Sequence, residues 1–384
     1  MKYEKMNHIK PIFFKSTFLL YILVISIACS NKKSKQKSNI ESTVPKKVMV
    51  MDTLGLIKEK PSNIKIPDGM VWIPGGTFIQ GAVAHDKEAM SHEKPAHKVA
   101  VDGYFMDTTL VTNRAFSRFV KETGYVTIAE RKPDWEELKK QVPEGTPKPP
   151  DSVLQPGSLI FKKAKTTLPN LYDFSKWWEW SIGANWKQPE GPGSSINGKE
   201  DHPVVHIAYE DALAYCKWAN RRLPTETEWE FASRAGKLNT IFFWGDDFSQ
   251  LSQYANTWEG EFPVVNLKTD GYESTSPVAK FPPNANNLYD MSGNVWEWTS
   301  DWYNAKYYQK ILEKGVVRNP KGAETPFNSN NPLAKEKIIR GGSYLCNAAY
   351  CSSYRISARM SSATDSSTGH LGFRTVVDLD MLSN

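Results

Sequence analysis

Two of the chain's four cysteines, Cys346 and Cys351, stand five positions apart in the stretch SYLCNAAYC, residues 343–351. Sulfur at that spacing supports a disulfide, half of a zinc site, or a reactive pair. Residues five apart in a strand face opposite ways and lie about 16 Å from each other. In a helix they are about 140° apart around the axis. The sulfurs meet only if the chain turns between them, and NAA after Cys346 permits a turn without demanding one. A disulfide suits an exported protein. C-x4-C is also an allowed zinc spacing, and HPVVH offers His202 and His206. Those histidines flank Val204 and Val205 in what reads as a strand, where nothing else converges. Two thiolates are also soft donors that select Cu(I) or zinc, and Cu(I) needs few ligands. Cys216 is a separate case. It lies four after Ala212 and three before Ala219 in a helical pattern, so it faces the core as a small hydrophobe.

What a thiol can do depends on its compartment. Residues 1–15 carry Lys2, Lys5, Lys10 and Lys15, and the apolar run FLLYILVISIA follows from Phe18 to Ala28, ending at Cys29. A bilayer needs about 20 apolar residues, so this run is too short to span. A basic start, a short apolar centre and small residues before a cut describe a secretory signal. SIAC at 26–29 resembles a bacterial lipobox, whose cysteine is acylated after cleavage. The reading is a signal peptide over 1–28, lipidation at Cys29 and an exported lipoprotein facing the periplasm or the cell exterior. Residues 1–60 hold 12 Lys and no Arg against 4 Asp and Glu, a net of +8, whereas the whole chain is +6. The basicity therefore belongs to the leader and to NKKSKQKSN, and nucleic acid is not an expected partner. A lysine-rich run without aromatics buries too little to fold, so residues 29–63 read as a flexible tether to the membrane.

The elements that must position the cysteines begin at about Ile64. No internal repeat or polar linker divides residues 64–384, which read as a single compact domain. With 13 Trp, 16 Tyr and 17 Phe among 24 Gly and 24 Pro, the core is aromatic and most of the chain is loop. VTNRAFSRFVKETGY predicts a helix capped by Thr112 or Asn113, with Phe116, Phe119 and Val120 on one face and a stop at Gly124. Residues 209–236 predict two helices hinged at Pro224. Thr225 and Glu228 form a capping box for the second, which Gly236 ends. MVWIPGGTFIQG, residues 70–81, reads as strand, glycine turn, strand. Residues 131–200 have no period and read as a long surface excursion.

RGGSYLCNAAYCSSYRISARMSSATDSSTGHLGFR, residues 340–374, resembles the active-site segment of the formylglycine-generating enzymes, the sulfatase-modifying factors. IPGGTFIQG, GANWKQPEGP, DHPVVHIAYEDALAYCKWANRRLPTETEWEFASRAG, WEGEFPVVN and LYDMSGNVWEWTSDW look like family blocks in family order. The resemblance implies an α+β, loop-rich fold related to C-type lectins. It also implies a monomeric oxidase that converts the cysteine of a C-x-P-x-R motif in an unfolded sulfatase to Cα-formylglycine, using O₂ and a reductant. Carried over by position, Cys346 and Cys351 would bind Cu(I) as a bis-thiolate and the substrate thiol would join them. Ser343 would act beside them, with Trp296, Tyr350 and Ser367 lining the pocket and Arg359 nearby.

The same resemblance implies structural calcium. Asn256 and Asp270 would give side chains to one ion and Thr257 and Tyr272 carbonyls. Asp290 and Glu297 would hold a second ion together with the carbonyls of Gly293 and Val295. Hard oxygens in loops suit Ca²⁺, although neither stretch has EF-hand spacing. On spacing alone both read as acidic surface loops. The sequence departs from the family at three points: Asn347 stands where His often follows the first active cysteine, His370 replaces the usual Asn before LGFR, and Thr375 stands where some relatives have a partner for Cys216. Two rivals remain. One is a non-catalytic lipoprotein scaffold of the same fold, and the other is a glycan-binding module rich in Trp. The paired cysteines with Ser343 favour catalysis over the scaffold, and most of the tryptophans sit in family blocks that read as core, which argues against the glycan-binding module.

Overall fold

In the computed structural model, which describes residues 54–382, local chemistry and helix boundaries agree. The first long helix runs Asn113–Thr123, and Gly124 closes it with φ +69°. The Thr112 hydroxyl accepts the Ala115 N–H at 3.2 Å. The later pair runs Tyr209–Trp218 and Glu226–Arg234. Thr225 and Glu228 cap the second reciprocally, at 3.2 Å and 2.8 Å. Residues 219–225 lie between the two, so the break is a segment rather than a hinge at Pro224 alone. The signal segment, Cys29 and residues 30–53 of the expected tether lie outside the described residues.

The end of that tether is corrected by the fold. The Ile57 carbonyl accepts the N–H groups of Gly75 and Gly103, at 3.1 and 2.7 Å, and its own N–H donates to Asp102 at 2.9 Å. A Cβ on Gly75 would sit 2.3 Å from that carbonyl oxygen, so the approach needs glycine there. The packed domain therefore begins by Ile57 rather than at residue 64.

Strands are short and their partners distant. Met70–Ile73 and Gly76–Gln80 form as expected, but they belong to different sheets. Met70–Ile73 pairs with Tyr104–Asp107, which also pairs with Val376–Val377, while Gly76–Gln80 pairs with His97–Val101. The sheet that carries the cysteine loop has the order 359–363, 336–340, 296–302, 371–372. Gly157–Phe161 and Trp178–Ile182 make a separate antiparallel ribbon inside the stretch read as a featureless excursion.

Charged residues hold this arrangement from within. Glu226 and Glu230, one turn apart on the helix Glu226–Arg234, are buried and reach Arg340 at 3.1 and 2.8 Å. Arg359 places two nitrogens on Glu226, at 2.6 and 2.8 Å. Arg374 does the same to Glu297, at 2.6 and 2.8 Å. Arg359 and Arg374 each make a planar fork on one carboxylate, the geometry that makes a buried ion pair tolerable, while Arg340 bridges two. The Arg340 and Arg359 pairs tie one helix to two strands of the sheet that ends in the cysteine loop, and the Arg374 pair ties the strand 296–302 to the segment after residues 371–372.

Candidate active site

The cysteine loop is built from its neck upward. The strand Glu336–Arg340 runs into Gly341 and Gly342, with φ of +90° and +73°. A Cβ on Gly342 would lie 2.9 Å from the Ser353 carbonyl. Glycine therefore lets the loop's outgoing and returning ends touch. Beyond the neck the chain turns twice: the Cys346 N–H donates to the Ser343 carbonyl at 2.9 Å, and the Cys351 N–H to the Asn347 carbonyl at 2.8 Å. The condition set by the spacing is met. Cys346 and Cys351 are paired as a disulfide with their Cα atoms 4.9 Å apart. Cys346 is 1% exposed, and Cys351 is half-buried. The Ser343 backbone N–H points at the Cys346 sulfur from 3.3 Å.

A cleft of about 270 Å³ opens onto the pair. Trp178, Phe262, Trp296 and Tyr350 give it aromatic walls, Met90 and Met360 add thioethers, and Ser343 and His370 add polar groups. Tyr350 stacks on Phe262 with ring centres 4.7 Å apart. His370 meets the edge of Trp178 at 4.8 Å and holds Nδ1 3.3 Å from the Ser343 hydroxyl. Burial, with the neighbouring His206 adding to it, lowers the His370 pKa to about 3, so the ring is neutral at physiological pH.

Cys346, Cys351, Ser343, Trp296 and Tyr350 thus lie together in the lining of one cleft. Ser367 and Arg359 are not among the residues lining the cleft. The Ser367 hydroxyl is buried against that of Ser158, at 2.8 Å. The Arg359 guanidinium is spent on Glu226 and on the His92 carbonyl, the latter at 3.0 Å, so it is a strut of the core. The histidines of the zinc reading have other partners. His206 lies 2.8 Å from both the Ser158 hydroxyl and the Pro189 carbonyl, and His202 lies 3.0 Å from the Thr275 hydroxyl. Among the described residues no cluster of three or more His, Cys, Asp or Glu could hold a metal. Cys216 is buried and free, its thiol pushed up by burial. Trp178, Phe262, Met90 and Met360 were missed by sequence reasoning: Trp178 and Met90 come from segments with no motif of their own, whereas Phe262 and Met360 lie inside family blocks that do not by themselves say which side chains face the cleft.

The donor set at the pair fits a soft monovalent ion, with two sulfurs already adjacent and one of them at the cleft surface. For calcium the two loops differ. Asn256 Oδ1 and Thr257 Oγ1 are buried without a hydrogen-bond partner. Asp270 accepts from the Thr257 and Tyr272 N–H groups, both at 2.9 Å, and burial lifts its pKa to about 6. Unmatched buried oxygens, with a carboxylate bonded to the same backbone segment, are the donor type a hard cation takes. In the second loop burial also raises the Asp290 pKa. Glu297, however, already has both oxygens engaged by Arg374 and a third bond from Trp229 at 2.8 Å. That set fits only in part.

An open, largely aromatic cleft lined by a cysteine pair, in a loop-rich α+β domain, defines a class of paired-cysteine cleft sites. Residues 54–379 match the sulfatase-modifying factor enzyme 1-like domain. The chain is 40% identical over 317 residues to a formylglycine-generating enzyme of Bos taurus, covering 81% of this chain and 75% of that one. It is likewise 40% identical over 316 residues to a formylglycine-generating enzyme of Thermomonospora curvata, covering 82% and 95%. A protein of Mus musculus named inactive C-alpha-formylglycine-generating enzyme 2 is 36% identical over 308 residues, covering 79% and 84%. PvdO from Pseudomonas aeruginosa shares the fold, with a TM-score of 0.53 at 22% identity over 84% of this chain and all of that one. The chain belongs to the formylglycine-generating enzyme (sulfatase-modifying factor) family.

Proposed function

We propose that this chain oxidises the cysteine of a C-x-P-x-R stretch in an unfolded sulfatase polypeptide to Cα-formylglycine. The observation that carries this reading is the adjacency of Cys346 and Cys351 in the lining of one open cleft. The balance is R–CH₂–SH + O₂ + 2 e⁻ + 2 H⁺ → R–CHO + H₂S + H₂O, with a thiol reductant as electron source. Reduced Cys346 and Cys351 would hold Cu(I), which when bound supplies the site of O₂ reduction and takes the substrate sulfur as a further soft ligand. The rings of Trp178, Phe262, Trp296 and Tyr350 exclude water around the substrate Cβ. The Ser343 N–H stabilises the Cys346 thiolate, and neutral His370 holds the Ser343 hydroxyl without adding charge to the cleft. Calcium at Asn256, Thr257, Asp270 and Tyr272 would brace the adjoining loop. The leader and Cys29 support an exported, lipid-anchored enzyme that meets sulfatases before they fold.

The test is incubation of copper-loaded protein with a C-x-P-x-R peptide, O₂ and dithiothreitol. Mass spectrometry should show conversion of the thiol to an aldehyde that hydrazine reagents trap. Cys346→Ser should abolish both copper binding and conversion. Copper bound tightly with no conversion across several such peptides would overturn the oxidase and leave the scaffold reading, to which the relative named inactive lends a precedent.

A further inference from the structure

We propose that Asn347 is the positioning residue that sets the two sulfurs in register. It is the last buried residue before the exposed tip 348–350, and it is bonded on every side. Its carbonyl accepts the N–H groups of Tyr350, Cys351 and Ser352, at 3.1, 2.8 and 3.1 Å. Its side-chain oxygen accepts the Ala349 N–H at 2.9 Å. Its amide nitrogen donates to the Trp258 and Gly260 carbonyls, both at 3.1 Å. The Trp258 N–H in turn donates to the Cys346 carbonyl at 3.1 Å. The segment 258–260 therefore grips Cys346 and Asn347 together, and Asn347 closes the turn that delivers Cys351.

Asparagine carries two donors and an acceptor on a one-carbon stem. Aspartate keeps the acceptor but cannot donate, so the two carbonyls would lose their partner and gain a repelling charge. In the exposed tip beyond Asn347, Tyr350 stacks on Phe262 with ring centres 4.7 Å apart, whereas Asn347 is the residue whose carbonyl accepts the Cys351 N–H directly. The copper part of this inference rests on the function proposed above, whereas the sulfur register does not.

The experiment measures two quantities on full-length, metal-free protein. The first is the equilibrium P(SH)₂ + GSSG ⇌ P(S₂) + 2 GSH in glutathione buffers, which reads how readily the two sulfurs meet. The second is Cu(I) affinity in competition with bicinchoninic acid. Asn347→Ala and Asn347→Asp are each expected to lower the thiol–disulfide constant at least tenfold, equivalent to about 30 mV for this two-electron couple. Cu(I) affinity should fall at least tenfold with it. If Asn347→Ala does not fold, the isosteric Asn347→Asp decides. Constants within twofold of the parent chain in folded Asn347→Asp overturn the proposal, even if its melting midpoint falls. Failure of the peptide to be oxidised bears only on the proposed function, since the glutathione equilibrium needs no substrate and no turnover.

Discussion

Cys346 and Cys216 are both buried, yet only one of them is placed for chemistry. Cys346 has a sulfur neighbour, a backbone N–H aimed at it and a cleft beside it. Cys216 has apolar neighbours and a thiol held protonated by burial. Cys216→Ala should therefore leave peptide conversion within about twofold of the parent chain, the scale of a small core change, whereas Cys351→Ser should remove it. Loss of conversion in Cys216→Ala with an unchanged circular dichroism spectrum would contradict this division. His206 allows a second prediction. Burial lowers its pKa to about 4, against 6.5 for a free ring. Its Nε2 must carry the proton, because it faces the Pro189 carbonyl. At pH 5 the unfolded chain protonates this histidine and the folded chain does not, so this residue's contribution to stability is lost as pH falls from about 6.5 toward 4. His206→Asn suits the left-handed φ of +59° and removes the titration. Between pH 7.5 and 5.0 the parent chain should lose about 2 kcal/mol relative to this variant in urea unfolding. Parallel pH curves for the two proteins would refute the assignment.

At the scale of elements, the helix Glu226–Arg234 is tied to the sheet by ion pairs that its sequence does not advertise. Glu226 takes two nitrogens from Arg359 and one from Arg340. Glu226→Ala leaves two buried guanidinium groups short of a partner and should cost at least about 3 kcal/mol, read as a lower urea midpoint at unchanged slope. A cost below 1 kcal/mol would mean that water or neighbouring groups compensate. The case also shows what was legible in the sequence and what was not. Helix ends at Thr112, Gly124 and Thr225 were readable because caps are made within three or four residues. The strands Met70–Ile73 and Gly76–Gln80 were readable as strands, but their sheet partners were not, since register is fixed by residues far along the chain. Family resemblance pointed to the cysteine loop and to five residues that line one cleft beside it. It could not say that Arg359 points into the core, because proximity along a motif does not fix side-chain direction. Trp178 and Phe262 reach the cleft only through the ribbon 157–182 and the loop after Trp258, and no periodicity marks either one.

Across the whole molecule, a domain made largely of loops keeps one geometry because its loops are tied to one another at a few points. The segment 256–272 is such a point. Its Asn256 carbonyl accepts the Asn294 N–H at 2.9 Å, and its Trp258 N–H donates to the cysteine loop at 3.1 Å. A Cβ on Gly293 would lie 2.3 Å from the Asn256 carbonyl oxygen, so the two loops are in direct backbone contact. The side-chain oxygens of Asn256 and Thr257 are buried without partners, and the Thr257 N–H donates to the Asp270 carboxylate at 2.9 Å, an arrangement that is costly unless a cation or water meets it. A divalent ion there would satisfy all three and bind only the folded chain. Calcium added to chelator-treated protein at 100 times its dissociation constant should then stabilise it by about 2.7 kcal/mol. Asp270→Asn should suppress most of that gain. Mg²⁺ should substitute poorly, since it demands a tighter octahedral shell than loop carbonyls readily supply. Differential scanning calorimetry with and without calcium reads the effect directly, and superimposable melting curves at millimolar Ca²⁺ would mean that the loop is held by its hydrogen bonds alone.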